Sequence, residues 1–210
     1  MSQAPLLSAG TGYVLPIYAF RLPPELDPEL IPSGRAADVA QPVYPLVIVG
    51  GGLSGLAAAC DCAVRGIPAI VLDEDDTIGV RGASSRGICY AQRTLEILAR
   101  FGVYPRVREK GIQWFAGRTL AGKDEVYQFD LSRQPTHSHS AQPAFINIQQ
   151  FYIEWYLVDR IIELGTVDLR WKSRVTGIAL EDGIAHLTVD TPAGSYSIRA
   201  RHVIDATGVR

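Results

Sequence analysis

Apolar and polar positions divide this chain into a patternless beginning and a strongly patterned remainder. Residues 1–45 carry eight of the thirteen prolines, including LPPELDPELIP, and sustain no period, so an extended arm is expected. Tyr13, Tyr18 and Phe20 are available to pack that arm on the domain, and the pattern leaves open whether it packs or stays loose. YPLVIVG, from Tyr44, is a continuous apolar, β-branched run of the kind that forms a strand covered on both faces. LSGLAAACDCAVRG follows with small and apolar residues at helical spacing up to Gly66, a C′ glycine. IPAIVLDEDD then reads as a second buried strand that ends in acids. Strand, helix and strand over roughly thirty residues make a β-α-β unit with a parallel pair.

Farther along, RTLEILARFGV predicts a helix that buries Leu95, Leu98 and Phe101 and stops at a glycine. IQWFAGRTL and DEVYQFDL, parted by AGK, predict an antiparallel pair. QQFYIEWYLVDRIIELG predicts a long helix and VDLRW a short strand. RVTGIALEDGIAHLTVDTPAGSYSIRARHVIDATG alternates around the turns EDG and PAG as a three-stranded meander ending in the apolar HVIDA. Tyr152, Trp155 and Tyr156 crowd one helix and read as core rather than as a substrate cage.

Composition adds the class of partner. At 210 residues, 47% hydrophobic, 20% charged and a mean hydropathy of +0.09, the chain can bury one sizeable core. Its 20 basic and 22 acidic side chains leave a net charge of −2 with no basic run, so nucleic acid and anionic membrane are not expected and small molecules are. Nothing approaches the ~18 apolar residues of a membrane span, and no basic and apolar leader opens the chain, so a cytoplasmic setting is expected. Cys60, Cys62 and Cys89 are an odd number without a secretory signal and read as free, buried or half-buried thiols. His137 and His139, in QPTHSHSAQP, read as part of a solvated loop, and no metal site is expected.

The candidate chemistry sits where the first strand breaks into glycine. Gly50, Gly52 and Gly55 form G-x-G-x-x-G between a strand and a helix: the first allows the tight turn, the second lets backbone approach a pyrophosphate, and the third lets helix and strand pack closely. The helix N-terminus then offers free N–H groups and a positive dipole end to the phosphates. Asp73 stands 23 residues after Gly50 at the end of the second strand, where an acid can accept a hydrogen bond from a ribose hydroxyl. Asp73, Glu74, Asp75 and Asp76 would repel a 2′-phosphate, which speaks against NADP in this pocket and leaves FAD or NAD. Asp75 and Asp76 are read as a solvated acidic loop.

The glycine motif, the acid-ended second strand, SSRGICYAQRTLEILARFGV, FINIQQFYIEWYLVDR and the meander ending RHVIDATGVR together resemble the N-terminal part of the FAD-dependent aromatic hydroxylases, the single-component flavoprotein monooxygenases of the phenol and hydroxyphenylpropionate hydroxylase type. The similarity spans about residues 44 to 210. It implies an α/β, Rossmann-like FAD-binding fold with a parallel sheet, a three-stranded antiparallel meander and part of a substrate-domain sheet. A Pro-rich arm would cover 1–43 and an FAD-binding domain 44–210, with a small substrate-sheet insertion around 111–147. The cofactor-binding set so implied is Gly50, Gly51, Gly52, Leu53, Ser54, Gly55, Asp73, Glu74, Ser85, Arg86 and Gln150. By the same resemblance Arg86 would lie against the flavin and its phosphates, with a fork of donors suited to them. Gln150 would hydrogen-bond the cofactor, with neighbouring Gln149 as the alternative, and Arg93 reads as solvated.

The implied activity takes electrons from NAD(P)H onto FAD and transfers one oxygen atom of O₂ to an aromatic, phenolic substrate, with homo-oligomerisation left open. These residues name no catalytic base. Two departures accompany the resemblance. Thr207-Gly208 stands where the family has Asp-Gly, and the Gly-Asp fingerprint for the ribityl chain does not occur within these residues. A fragment or truncated product, inactive alone, is therefore expected. A non-catalytic nucleotide-binding domain is the alternative reading and an NAD-dependent dehydrogenase the third.

Overall fold

The structure, a computed structural model, describes residues 6–9, 13–30, 42–78, 87–130 and 141–208. Its first elements lie in the Pro-rich beginning, which is structured rather than merely extended. β1 (Leu6–Ala9) and β2 (Tyr13–Pro16) form an antiparallel hairpin, and a single 3₁₀ turn over Pro24–Leu26 follows. Proline stands at the first position of that turn, where its missing N–H costs nothing. Leu15 and Tyr18 are buried and Phe20 is half-buried, while the side chain of Tyr13 lies outside the described part. Between the packed and loose alternatives, the described part of the arm packs.

Next come β3 (Val43–Val49), α1 (Leu53–Val64) and β4 (Ala69–Leu72), then β5 (Cys89–Ala91), α2 (Gln92–Phe101) and α3 (Tyr104–Lys110). β6 (Ile112–Gln113), β7 (Ala116–Ala121), β8 (Asp124–Asp130) and β9 (Phe145–Asn147) precede the long α4 (Gln150–Leu164). The chain closes through β10 (Val167–Arg170), β11 (Arg174–Glu181), β12 (Ile184–Thr191) and β13 (Gly194–Asp205).

The molecule is mixed α/β with a mostly parallel central sheet of order β10-β4-β3-β13-β12-β11. The first four strands run parallel, and β12 and β11 continue antiparallel. β13 belongs to both parts: its residues 194–200 pair with β12 and its residues 199–205 pair with β3. Successive residues of β3 and β4 enter two different cores. Ile48, Ala69 and Val71 face one core with Leu56, Ala59 and Cys60 of α1 and Leu157 and Ile161 of α4. Val47, Val49, Ile70 and Leu72 face the other, with Leu187 and Val189 of β12 and Tyr196 and Ile198 of β13. A strand whose side chains alternate between two buried faces has no polar positions, which is why both runs read as continuously apolar.

Several short elements escape the sequence pattern. β5, β9 and β6 form a three-stranded sheet of two- and three-residue strands, too short to show a period. Ile112 and Gln113 therefore pair with β9 and are not part of the β7–β8 hairpin, which starts at Ala116. α3 buries Val107 alone, so it carries no apolar stripe. α2 buries Leu95, Leu98 and Phe101 as expected and ends at Gly102, at φ 84°. On α4, Tyr156 is buried and Tyr152 and Trp155 pack against the same core, with Arg106 over the Tyr156 ring at 3.9 Å. Cys60 and Cys62 are buried, and burial pushes the Cys60 thiol up to about 11. Cys89 departs from the expectation and is exposed, because β5 turns Tyr90 inward and its two neighbours outward. No helix among the described residues is long and apolar enough to cross a membrane.

Tyr18 stacks on Trp171 with ring centroids 4.5 Å apart, and its buried hydroxyl has no hydrogen-bond partner among the described residues. Burial pushes its phenol well above the usual tyrosine range. A buried unsatisfied hydroxyl is costly, so Tyr18→Phe, which keeps the stacked ring, is expected to raise stability by about 1 kcal/mol. Urea unfolding checks this, and a loss of stability would show that the hydroxyl has a partner.

Candidate dinucleotide site

The strand β3 ends at Gly50, whose N–H donates to the Leu72 carbonyl at 2.8 Å, while Ala206 N–H donates to the Val49 carbonyl at 2.8 Å. The ends of β4, β3 and β13 are thereby tied around one turn. Each glycine in that turn meets a different constraint. Gly50 has φ 104°, and a Cβ there would lie 2.5 Å from the Ala206 carbonyl oxygen. A Cβ at Gly55 would overlap the Gly50 carbonyl oxygen and stand 3.3 Å from Ala206 Cβ. Gly52, at φ −76°, has nothing within 4 Å of an added Cβ among the described residues. Gly50 and Gly55 are thus required by the fold, and Gly52 faces space that no described residue fills. Ala206 is the partner that sequence reasoning missed; a small residue after an apolar strand carries no distinguishing signal.

The first helical bond of α1 is donated by Leu56 N–H to the Gly52 carbonyl at 2.8 Å. The amides of Leu53, Ser54 and Gly55 precede it, at the positive end of the helix dipole. Beside them, the Asp73 carboxylate accepts the Gly51 N–H on Oδ2 and the Asp75 N–H on Oδ1, the latter at 2.9 Å. The main chain of Asp73 is held twice more: its N–H donates to the Arg170 carbonyl at 3.1 Å and its carbonyl accepts Ser173 N–H at 2.7 Å. Burial raises the Asp73 pKa, and the Gly51 and Asp75 N–H bonds pull the other way.

The acidic loop beyond Asp73 is half-buried and tied down, contrary to the solvated loop expected. Asp76 pairs with Lys172 at 2.8 Å, Glu74 with Arg174 at 3.5 Å, and the Asp75 carbonyl accepts Lys172 N–H at 3.0 Å. These residues and the turn Asp190–Pro192 line a cavity of about 450 Å³ next to Asp73.

Gln150 opens α4 and donates from Nε2 to Glu154 Oε1 at 2.7 Å. Glu154 is buried, at 3% exposure. The Gln150 amide oxygen approaches Gly87, whose carbonyl accepts the Tyr90 hydroxyl at 3.3 Å. Gln149 is the N-cap residue of α4 and accepts Tyr152 N–H on its carbonyl at 3.1 Å. Ser85, Arg86, His137 and His139 lie outside the described residues. Arg93 is exposed and pairs with Glu96 at 2.9 Å. At the end of β13, Asp205 accepts both the N–H and the hydroxyl of Thr207, at 3.0 and 2.7 Å, bonds that hold its carboxyl below the usual range. The glycine turn, Asp73 and Ala206 are therefore one constellation, and Gln150 with Glu154, Tyr90 and Gly87 another. No group of metal-ligating side chains occurs among the described residues.

This turn and its acid belong to a dinucleotide-binding class of fold, and comparison with known proteins narrows the class. The sequence model of the FAD binding domain matches residues 43–210, and the chain belongs to this family. It is 26% identical over 167 residues to para-nitrophenol 4-monooxygenase of Pseudomonas sp. (strain WBC-3), a match covering 79% of this chain and 40% of that protein. It is 27% identical over 168 residues to rifampicin monooxygenase of Streptomyces venezuelae, covering 80% of this chain and 32% of that protein. The chain thus spans well under half the length of the curated relatives it matches. Among solved structures it is similar to p-nitrophenol 4-monooxygenase PnpA from Pseudomonas putida DLL-E4, with a TM-score of 0.71, 25% identity and coverage of 80% of this chain and 42% of that one. It shares its fold with the flavin-dependent monooxygenase PieE, solved with FAD and substrate, at a TM-score of 0.69 and 24% identity over 83% of this chain and 31% of that one.

Proposed function

We propose that the chain is the FAD-binding part of an NAD(P)H-dependent flavoprotein monooxygenase that uses O₂ to hydroxylate phenolic or related aromatic compounds. The observation that carries this reading is the glycine turn beside Asp73: space over Gly52 that no described residue fills, helix amides at Leu53, Ser54 and Gly55, and a carboxylate at the end of β4 suit the adenosine diphosphate half of FAD. The order β10-β4-β3-β13, the third, second, first and fourth parallel strands along the chain, is that of a Rossmann-like sheet and supports the same reading. The substrate class rests on the relatives, two of which are named for para-nitrophenol. A cytoplasmic setting suits a nicotinamide donor.

Activation of O₂ and transfer of one oxygen atom to an aromatic ring is the chemistry the flavin supplies when bound. The residues of this chain bind and orient it. Gly52 and the amides of Leu53, Ser54 and Gly55 would hold the pyrophosphate, Gly50 and Gly51, whose N–H groups are bonded to Leu72 and Asp73, would shape the turn beneath it, and Asp73 would hold the adenosine ribose. Glu74, at the rim of the adjoining cavity, adds negative potential that disfavours a 2′-phosphate. Gln150, with Ser85 and Arg86, would meet the flavin side. The direct test is the absorption spectrum of the purified chain after mixing with FAD and gel filtration: retained bands near ~370 and ~450 nm belong to the oxidised flavin. Uptake of NAD and not FAD would overturn the reading.

Asp73→Asn keeps the shape of the acceptor and gives up a charge-assisted hydrogen bond, so FAD affinity is expected to fall by roughly 1.5–3 kcal/mol. Titration of the apoprotein checks it, and an unchanged affinity would move the ribose contact elsewhere. Acidity should act through the same group. Because burial raises the pKa of Asp73 above 3.8, the folded chain holds this proton more tightly than the unfolded chain. Its contribution to stability therefore falls as pH rises from 3.8 to the raised value. A ribose hydroxyl donating to the carboxylate lowers that pKa again, so FAD affinity is expected to rise over the same window and level off above it. A flat titration profile would remove Asp73 from the contact.

A further inference from the structure

The segment before Val43 lies outside the residues matched by the family, yet it contacts Arg170, whose carbonyl holds Asp73, and the acidic loop that follows Asp73. Glu25, in the 3₁₀ turn, pairs with Arg170 at 2.9 Å, and the two side chains are only 9% and 7% exposed. Tyr44 donates its hydroxyl to the other Glu25 oxygen at 2.6 Å. The guanidinium of Arg170 also donates to Asp168 at 2.7 Å and to the Tyr196 hydroxyl at 3.2 Å. The carbonyl of this same Arg170 accepts Asp73 N–H, and Ser173, three residues on, donates to the Asp73 carbonyl. The arm also reaches the other side of the acid. Tyr18 N–H donates to the Asp76 carbonyl at 2.7 Å, Thr77 Oγ1 donates to the Pro16 carbonyl at 2.7 Å, and Ile17 bridges Thr77. Tyr18 then stacks on Trp171, the residue after Arg170.

We infer that residues 15–27 are a positioning strap for the Asp73 carboxylate, acting through Glu25 and Arg170 on one side and through Pro16 and Thr77 on the other. The inference rests on the reading of Asp73 as the ribose acceptor. A guanidinium this deeply buried stays in place only with its counter-charges, so neutralising Glu25 loosens the end of β10 to which Asp73 is bonded. Removing the Thr77 hydroxyl takes away the side-chain tie between the arm and the far end of the acidic loop and leaves only the backbone contacts of Ile17 and Tyr18. Neither Glu25 nor Thr77 is placed in contact with the ligand, and both set where the carboxylate stands.

A double-mutant cycle on the 210-residue chain separates positioning from general support of the fold. Affinities for FAD and for ADP, the half that Asp73 addresses, are measured for wild type, Glu25→Gln, Thr77→Val, Asp73→Asn and each pair with Asp73→Asn. Glu25→Gln and Thr77→Val are each expected to weaken both ligands about three- to tenfold in the wild-type background and to have no effect once Asp73 is Asn. Equal losses in both backgrounds would overturn the strap and leave Glu25 a purely structural group. So would wild-type affinity in both single variants, provided Asp73→Asn alone weakens binding. Thr77→Val keeps the buried ion pair and carries the test should Glu25→Gln fold poorly. A wild-type chain that binds neither FAD nor ADP would instead overturn the cofactor reading itself.

Discussion

Gly52→Val is expected to abolish FAD binding while leaving the fold intact. The backbone at Gly52 lies at φ −76°, a conformation any L residue adopts, and an added Cβ meets no described atom within 4 Å. The side chain therefore costs the folded protein little. It does occupy the space in front of the helix amides where the proposed site would seat a pyrophosphate. Displacing the phosphate from two charge-assisted hydrogen bonds, each worth about 1.5–3 kcal/mol, removes roughly two to four decades of affinity. Circular dichroism and thermal melting should match wild type, while flavin titration shows no saturation. Undiminished FAD affinity in this variant would refute the site.

Gly55→Val is expected to do the opposite and prevent the chain from folding. Here a Cβ overlaps the Gly50 carbonyl oxygen, a backbone atom that no rotamer change can move. Relief requires α1 to lift off β3, opening the core in which Leu56, Ala59 and Cys60 pack on Ile48. Damage of this kind costs more than about 4 kcal/mol, a large part of the roughly 5–15 kcal/mol that a domain has. Expression and melting check it: little soluble protein, or a melting temperature far below wild type. A Gly55→Val chain that melts like wild type would mean that helix and strand need not approach so closely. The pair of variants also separates two positions of one motif, since Gly55 stands against backbone and Gly52 meets no described atom.

Much of this is legible in the amino-acid sequence by itself, and for local reasons. A strand with no polar positions must be covered on both faces, so VIV and AIVL announce a buried parallel pair without reference to what covers them. The run of glycines between that strand and the Ala-rich helix marks a backbone that turns sharply and comes close to something, and Asp73 stands where such a turn puts an acid. The meander declares itself through alternation around EDG and PAG, because one of its faces is buried and the other is wet.

Only the tertiary structure decided what those faces meet. Whether Val47 or Ile48 looks toward the helices or toward β12 depends on how β13 joins the parallel and antiparallel parts of the sheet along its length, a long-range choice that no window of sequence contains. The arm is unreadable in sequence because its contacts are single residues rather than a stripe: Leu15 sinks into the larger core, and Tyr18 and Glu25 each find a partner far along the chain. The small β5-β9-β6 sheet is likewise held by pairing between distant segments, in strands too short to carry a period. The division of labour among the glycines follows the same rule. Gly50 is constrained by Ala206, a residue distant in sequence, Gly55 by the Gly50 carbonyl that the turn brings over it, and Gly52 is distinguished by having no described atom within 4 Å of an added Cβ.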